Sequence, residues 1–338
     1  MTDHDSSIKS SDNCIQIKGS LCGKGCNALI DAYHQLPRDT HILLDFSETH
    51  NIDPMGINAL VMLCILVHKR NQRLVAEGLS QELREVFHLT MIDDSIRMGP
   101  PTAADTLSST RKISSLWAEP FAQLRLGHHP SQALDYNIDG LKLTGPLQGF
   151  GQLWEKTYQV RLSGVKISPR QAVKVMRERF PSFQPDQNHF YPSRAGIIPG
   201  EIVIINSVLL GVPISTGVFV LYADDTSFTF MTPQGHPESG WVHFRAYEDE
   251  ASTIMQIQGF ARANDLFYEI GFKLAGSRIQ ENIWKHVLTQ FAGYFGLDGW
   301  VQVSKSCIDE SIQWANMKNI WYNAQIRTLL YLARQKRE

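Results

Sequence analysis

The string Gly235-His-Pro-Glu-Ser-Gly-Trp-Val-His-Phe gathers several side chains that can do chemistry. His236 and Glu238 stand two residues apart. In an extended or turning backbone such residues can face the same way, so imidazole and carboxylate form a candidate acid–base pair. The same string also suits a purely structural turn, with Pro237 fixing the backbone and both polar side chains hydrogen-bonded to neighbouring loops. With no nucleophile, metal cluster or phosphate loop beside the pair, the turn is the favoured reading, and the two stand as catalytic candidates only. Tyr191, His243, Arg262, Arg278 and Trp284 join His236 and Glu238 as candidate ligand-binding residues. Arg262 and Arg278 flank a long helix and suit a carboxylate or an anionic head group, or else pair with Glu248, Glu269 or Glu281.

A second grouping lies near the N-terminus, in Asp45-Phe-Ser-Glu-Thr-His-Asn-Ile-Asp-Pro-Met-Gly-Ile-Asn-Ala-Leu. An apolar strand ends at Asp45, and Asp53 is placed to cap a helix that begins at Pro54. Gly56 allows close backbone approach, and the exposed amides of the first turn make a natural partner site. Ser47, Asp53, Met55 and Gly56 are the candidate partner-binding residues. The cysteines do not complete a metal site: Cys22 and Cys26 form a close pair, but no second pair accompanies them. No metal and no cofactor is expected.

These residues are positioned by two differently patterned regions. The first hundred residues alternate strand and helix. Ile15–Lys18, His41–Phe46 and Arg73–Glu77 read as strands, Lys24–Leu36 and Gly56–Arg70 as helices, and Ser80 caps a further helix. Strands alternating with helices imply a small, mostly parallel sheet. From Met98-Gly-Pro-Pro to about Gly145 the pattern weakens into a linker with some local structure. Trp154–Leu162 then reads as a strand, and Ser168-Pro-Arg-Gln as a capping box opening a helix through Arg179. Five β-rich runs follow between Glu201 and Ala261. Asn264 or Asp265 caps a long helix to Tyr294, interrupted at Gly271, Ala275 and Gly276. The apolar stretch Ile308–Arg334 reads as a final helix that packs on a domain or a second subunit. The expected domains are thus 1–99, a linker 100–145, 146–296, and a helical extension 297–338.

Residues 14–98 resemble the STAS family, the small domains of anti-sigma-factor antagonists. The likeness rests on the strand ending Asp45-Phe-Ser47, the Ile52-Asp53-x-x-Gly56 turn, the Leu60-bearing helix, the Arg73-Leu-Val strand and Leu79-Ser80. It implies docking of a protein partner, such as a kinase-type anti-sigma factor, through the loop and helix start at Asp45–Leu60. In that family a Ser or Thr before the glycine is often phosphorylated. Met55 stands there in this chain and has no hydroxyl, so no phosphorylation is expected at that position, and a constitutive apolar contact is expected instead. Ser47 and Thr49 are the nearby hydroxyls.

Residues 145–296 resemble the START/polyketide-cyclase (SRPBCC) superfamily, on the Gly235–Phe244 string, the strand ending Gly259-Phe-Ala-Arg-Ala, Gln280 on the final helix and Gly196-Ile-Ile-Pro-Gly-Glu201. The resemblance implies a helix-grip fold, an antiparallel sheet wrapped on a long C-terminal helix, with a pocket for lipids or other apolar molecules. The expected fold class is therefore two-domain, an α/β STAS-like sheet followed by an α+β helix-grip unit.

Composition narrows the function. The 338 residues carry 32 Lys+Arg against 34 Asp+Glu, a net charge of −2, which gives no basic field for nucleic acid. Met1–Ser7 lacks the pattern of a signal peptide, and the run Ile57–Val67 is too short to span a bilayer, so a cytoplasmic protein without a membrane span is expected. The leading expectation is a non-enzymatic signalling or adaptor protein that docks a protein partner and binds a small apolar or lipid-like ligand. One alternative is a cyclase, isomerase or hydrolase using His236 and Glu238 in the cavity. Another is an interaction protein with a solid core.

Overall fold

A computed structural model describes residues 7–23, 25–38, 40–100, 116–209, 211–250 and 252–335. The chain forms two compact units that divide between Ser115 and Leu116.

The first unit is a five-stranded sheet, ordered β1 (Ser7–Ser11), β2 (Cys14–Leu21), β3 (Ile42–Ile52), β4 (Leu74–Glu77) and β5 (Arg97–Met98). β1 pairs antiparallel with β2, and the later pairs are parallel. Parallel neighbours need crossovers, supplied by helices α1 (Gly25–His34), α2 (Pro54–Lys69) and α3 (Gln81–Leu89). α2 is buried along Ile57, Leu60, Val61, Cys64 and Val67, the stripe its helical spacing requires. The Ser80 hydroxyl takes the Leu83 amide, as an N-cap should.

The second unit is a nine-stranded antiparallel sheet. In chain order its elements are β6 (Leu143–Thr144), β7 (Leu153–Leu162), α4 (Pro169–Arg179), β8 (Asn188–Pro192), β9 (Ile202–Leu209) and β10 (Val212–Ala223). β11 (Ser227–Pro233), β12 (Glu238–Asp249), β13 (Ser252–Ala263), α5 (Leu266–Gly271), α6 (Ser277–Tyr294), β14 (Val301–Asp309) and α7 (Ala324–Gln335) follow. The sheet order is β14-β7-β13-β12-β11-β10-β9-β8, with β6 paired to β11. The Ser168 capping box and Pro169 open α4 as the sequence predicts. Asp265 caps α5, accepting from the amides of Phe267 and Tyr268. A π-helical turn, Phe272–Gly276, joins α5 to α6 at the predicted interruption.

One face of the sheet packs on α4 and α6 through Tyr158, Val160, Val220, Phe244, Met255 and Ile257 with Met176, Val287 and Phe291. The ring of Phe180 meets Phe190, Phe230 and Phe244 edge-on at 5.1, 5.5 and 5.3 Å. Most of the space between sheet and helix is thus filled by aromatic rings.

Two expectations change here. Of the stretch read as a linker, residues 116–145 pack on the opposite sheet face: Phe121 lies 4.7 Å from Phe219, and Asn137 donates to the Ser215 carbonyl at 2.9 Å. The extension is not one helix. Val301–Asp309 adds an edge strand beside β7, and Trp314–Tyr322 is 3₁₀-helical before α7 begins. The reason lies in three asparagines. Asn316 donates to the Gly149 carbonyl, Asn319 to the carbonyls of Gln148 and Asn264, and Asn323 to the Asp265 carboxylate, at 2.8–2.9 Å. Residues three apart eclipse on a 3₁₀ helix, which aims the first two hooks along one line. No helix among the described residues is long and apolar enough to cross a membrane.

Candidate functional site

Strand alternation decides which polar side chains meet. On β7 the even residues share the face of Tyr158, Val160 and Leu162, which pack on the helices. Lys156 and Trp154 therefore lie on that side, together with Glu238 at the start of β12 and Gln280 and Trp284 on α6. Two adjoining voids result. One of about 10 Å³ is lined by Trp154, Lys156, Tyr158, Glu238, Gln280 and Trp284. The other, of about 70 Å³, is lined by Phe190, Phe230, Thr232, His236, Glu238 and Trp284. They share Glu238, Ala261 and Trp284. Each of these two voids is well below the ~300 Å³ at which ordinary ligand pockets begin, so neither is lipid-sized.

The polar wall is ordered by charge. Lys156 Nζ donates to Gln280 Oε1 at 2.7 Å, and Gln280 Nε2 donates to Glu238 Oε2 at 2.6 Å. The amide thus points its carbonyl at the cation and its NH₂ at the anion. Burial lowers the Lys156 ammonium below its ordinary range, and Glu238 works against that shift. Beside this relay the Tyr158 hydroxyl is buried and has no hydrogen-bond partner among the described residues. Burial pushes its pKa upward, and Glu238 and Glu281 add to the shift, so the phenol stays protonated and able to donate.

His236 does not meet the Glu238 carboxylate. Its Nδ1 lies 3.1 Å from the Glu238 amide, and burial pushes the imidazole down to about 4. The Glu238 carbonyl lies at the same 3.1 Å, so in either neutral tautomer the ring bonds to the Glu238 backbone, and not to its carboxylate, and closes the turn around Pro237. Four further candidates lie away from the voids. His243 faces the other side of β12 from Phe244 and meets Thr229 Oγ1 at 2.7 Å. Tyr191 lies on the face of β8 opposite Phe190. Arg262, 2 % exposed, donates to the carbonyls of Pro146, Gly151 and Ser311 and to Asp309 Oδ2 at 2.5 Å, which makes it a structural tie. Arg278 is exposed on the first turn of α6 and does not line the voids. Of the ligand set, His236, Glu238 and Trp284 come together. Lys156 and Tyr158 were missed, because on an alternating strand nothing in sequence separates them from ordinary facing residues.

The His243 imidazole is pushed down to about 3 by burial and by the neighbouring Arg245 guanidinium. It is neutral in the fold and protonates near 6.5 once unfolded. Its contribution is full above pH 6.5 and falls as the pH drops toward 3, by about 2 kcal/mol at pH 5. Denaturant melts at pH 8 and pH 5 should show His243→Gln losing less stability on acidification than the wild type by about that amount.

In the first unit, Asp53 Oδ1 accepts the Gly56 amide at 2.8 Å and holds the start of α2. A Cβ on Gly56 would lie 2.2 Å from the Leu21 carbonyl, so the helix start sits directly on the end of β2. Met55 is half-buried, and its carbonyl takes the Cys26 thiol at 3.0 Å. Ser47 is exposed, whereas Thr49 is buried with its hydroxyl on the Ile17 carbonyl. Among the described residues no His/Cys/Asp/Glu cluster has the arrangement of a metal site.

Three solved structures illustrate what the chain is similar to. The di-domain ARO/CYC StfQ from the steffimycin biosynthetic pathway shares 9 % identity at a TM-score of 0.33, over 43 % of this chain and 50 % of StfQ. The chain thus spans half the length of that protein. A START superfamily protein from Mycobacterium smegmatis shares 18 % identity at a TM-score of 0.30, over 43 % of this chain and 97 % of its own. The anti-sigma factor antagonist SpoIIAA in its unphosphorylated form shares 14 % at a TM-score of 0.22, over 31 % and 96 %. No curated protein matches the chain. Residues 5–99 match the family described as "Mlab, STAS domain", and the first unit is accordingly a STAS domain.

Proposed function

We propose that the chain is a two-unit binding protein, with a STAS domain that docks a protein partner and a helix-grip unit that holds a small oxygen-bearing ligand. The reading is carried by the Tyr158 hydroxyl, a buried donor without a partner among the described residues, beside the Lys156–Gln280–Glu238 relay. Leaving such a group unsatisfied costs about 1–3 kcal/mol, and an acceptor atom of a ligand would recover it. The void that Tyr158 lines is about 10 Å³, and the adjoining one, lined by Phe190, Phe230 and Trp284, accommodates about five water-sized groups. That points to a short-chain carboxylic acid, ketone or alcohol, its apolar part against Phe190, Phe230 and Trp284, rather than to a lipid. On the first unit, the surface that meets the partner is Ser47, Asp53 and Met55, while Gly56, expected among them, is buried against the end of β2. A kinase-type anti-sigma factor is the first candidate, bound without a phosphorylation switch at Met55.

Thermal melts of the full chain against a panel of short acids, ketones and alcohols test the ligand half. At least one member should raise the midpoint for the wild type. Tyr158→Phe should abolish that rise while leaving the ligand-free protein as stable, or more stable by about 1 kcal/mol. A panel without effect, together with a Tyr158→Phe protein that melts lower than wild type, would overturn the reading.

A further inference from the structure

We propose that the face formed by α5, the following π-turn and α7 docks onto an anionic membrane surface. These elements meet at Gln325. Its backbone amide donates to the Tyr268 hydroxyl of α5 at 3.1 Å, and its side chain donates to the Leu209 and Val212 carbonyls at the β9–β10 hairpin. Around that junction α5 and the π-turn expose Phe267, Ile270 and Leu274, the last at 80 %. The exposed large apolar residues of α7 are Ile326, Leu329 and Leu330.

α7 already has an inner face, with Ala324 and Thr328 fully buried and Thr328 bonded to Ser215. A short helix that is apolar outside as well as inside calls for a second apolar contact. The charges on these elements indicate which. From Ser311 to Gln335 the sequence holds Lys318, Arg327 and Arg334 and no Asp or Glu. At the cap of α5 Asp265 is buried, and Glu269 pairs with Lys273 of the π-turn at 2.9 Å, so α5 and the π-turn add no net negative charge to the face.

A second copy of the chain fits this face poorly, because a two-fold pairing sets the same cations against each other. An anionic bilayer interface meets both demands, taking the apolar side chains at the head-group boundary and the Lys and Arg at the phosphates. Trp321, 81 % exposed just before α7, is the residue type that settles at that boundary.

Co-sedimentation of the full chain with phosphatidylcholine vesicles containing about one third phosphatidylglycerol tests this. The chain should bind those vesicles in dilute buffer, and at least about tenfold more weakly to pure phosphatidylcholine or at about 1 M salt. Leu329→Glu with Leu330→Glu should reduce binding at least about tenfold, without changing the thermal melt. Lys318→Glu with Arg334→Glu, both at exposed positions, provides an independent arm and should do the same. Absence of binding in dilute buffer, or binding indifferent to both pairs, would refute the proposal. So would a concentration-dependent dimer that the leucine pair dissolves while vesicles are ignored.

Discussion

Arg262→Met is expected to destabilise the second unit by about 3–5 kcal/mol, because it strands the Asp309 carboxylate in a buried site. The guanidinium is enclosed, with Nε on the Pro146 carbonyl, Nη1 on those of Gly151 and Ser311, and Nη2 on Asp309. Both charges are almost fully buried, at 1 % and 2 % side-chain exposure. Removing the cation leaves three carbonyls short of a donor and a carboxylate without its counter-ion, which is the costly case. Replacing both ends, as Arg262→Met with Asp309→Leu, should recover part of the loss, since a paired ion adds little over apolar packing. The measurement can be specific to this unit. All seven tryptophans lie at or beyond Trp117, so denaturant melts followed by tryptophan fluorescence report on the second unit alone. A single-variant loss below about 1 kcal/mol would show that Arg262 is not the tie between β13, the 146–151 segment and the end of β14.

That tie also shows where sequence reading works and where it stops. Caps and periodicities are local, so Asp53, Ser80, Ser168 and Asp265 could be placed from neighbouring residues alone, and the structure has each accepting the expected amides. The two-unit architecture followed from the same signals, because a strand–helix alternation and a strand meander differ within any thirty-residue window. Long-range pairing leaves no such mark. Arg262 was placed among the ligand candidates because an arginine near a helix start suits an anion. Its true partner, Asp309, lies 47 residues away. Lys156 and Tyr158 were invisible for a related reason: alternation says that they share a face but not that Gln280 and Glu238 will lie opposite. The edge strand Val301–Asp309 was missed because its neighbour β7 precedes it by more than 140 residues, and the asparagine hooks after it resemble a polar helix face until their acceptors are known.

The Gly-His-Pro-Glu string admits a structural explanation, and Gly235→Ala tests it. Gly235 sits at φ +84°, a conformation that costs any other L-residue energy. A Cβ there would lie 1.8 Å from the Tyr322 carbonyl oxygen and 2.7 Å from its carbon. Both atoms are backbone, so a side-chain rotation cannot relieve the clash, and either the turn or the C-terminal arm must move. The arm is the part less able to stay. Its hold at this point includes the Ala324 amide on the Gly235 carbonyl at 2.9 Å, and next to it Asn323 on Asp265. Strain and overpacking together set an expected loss of about 2–5 kcal/mol in the second unit. Much of it should appear as local release of residues 314–335, read as faster tryptic cleavage at Lys318 and Arg327 before global unfolding. His236→Ala should behave differently, since it removes one turn contact without forcing backbone apart, and should cost at most about 1–3 kcal/mol. An unchanged melt with the arm still protected would show that the turn is not shaped to receive the arm. A turn shaped to receive the arm predicts the reverse, and it also explains why the imidazole nitrogen is spent on the Glu238 backbone while the carboxylate turns to Gln280.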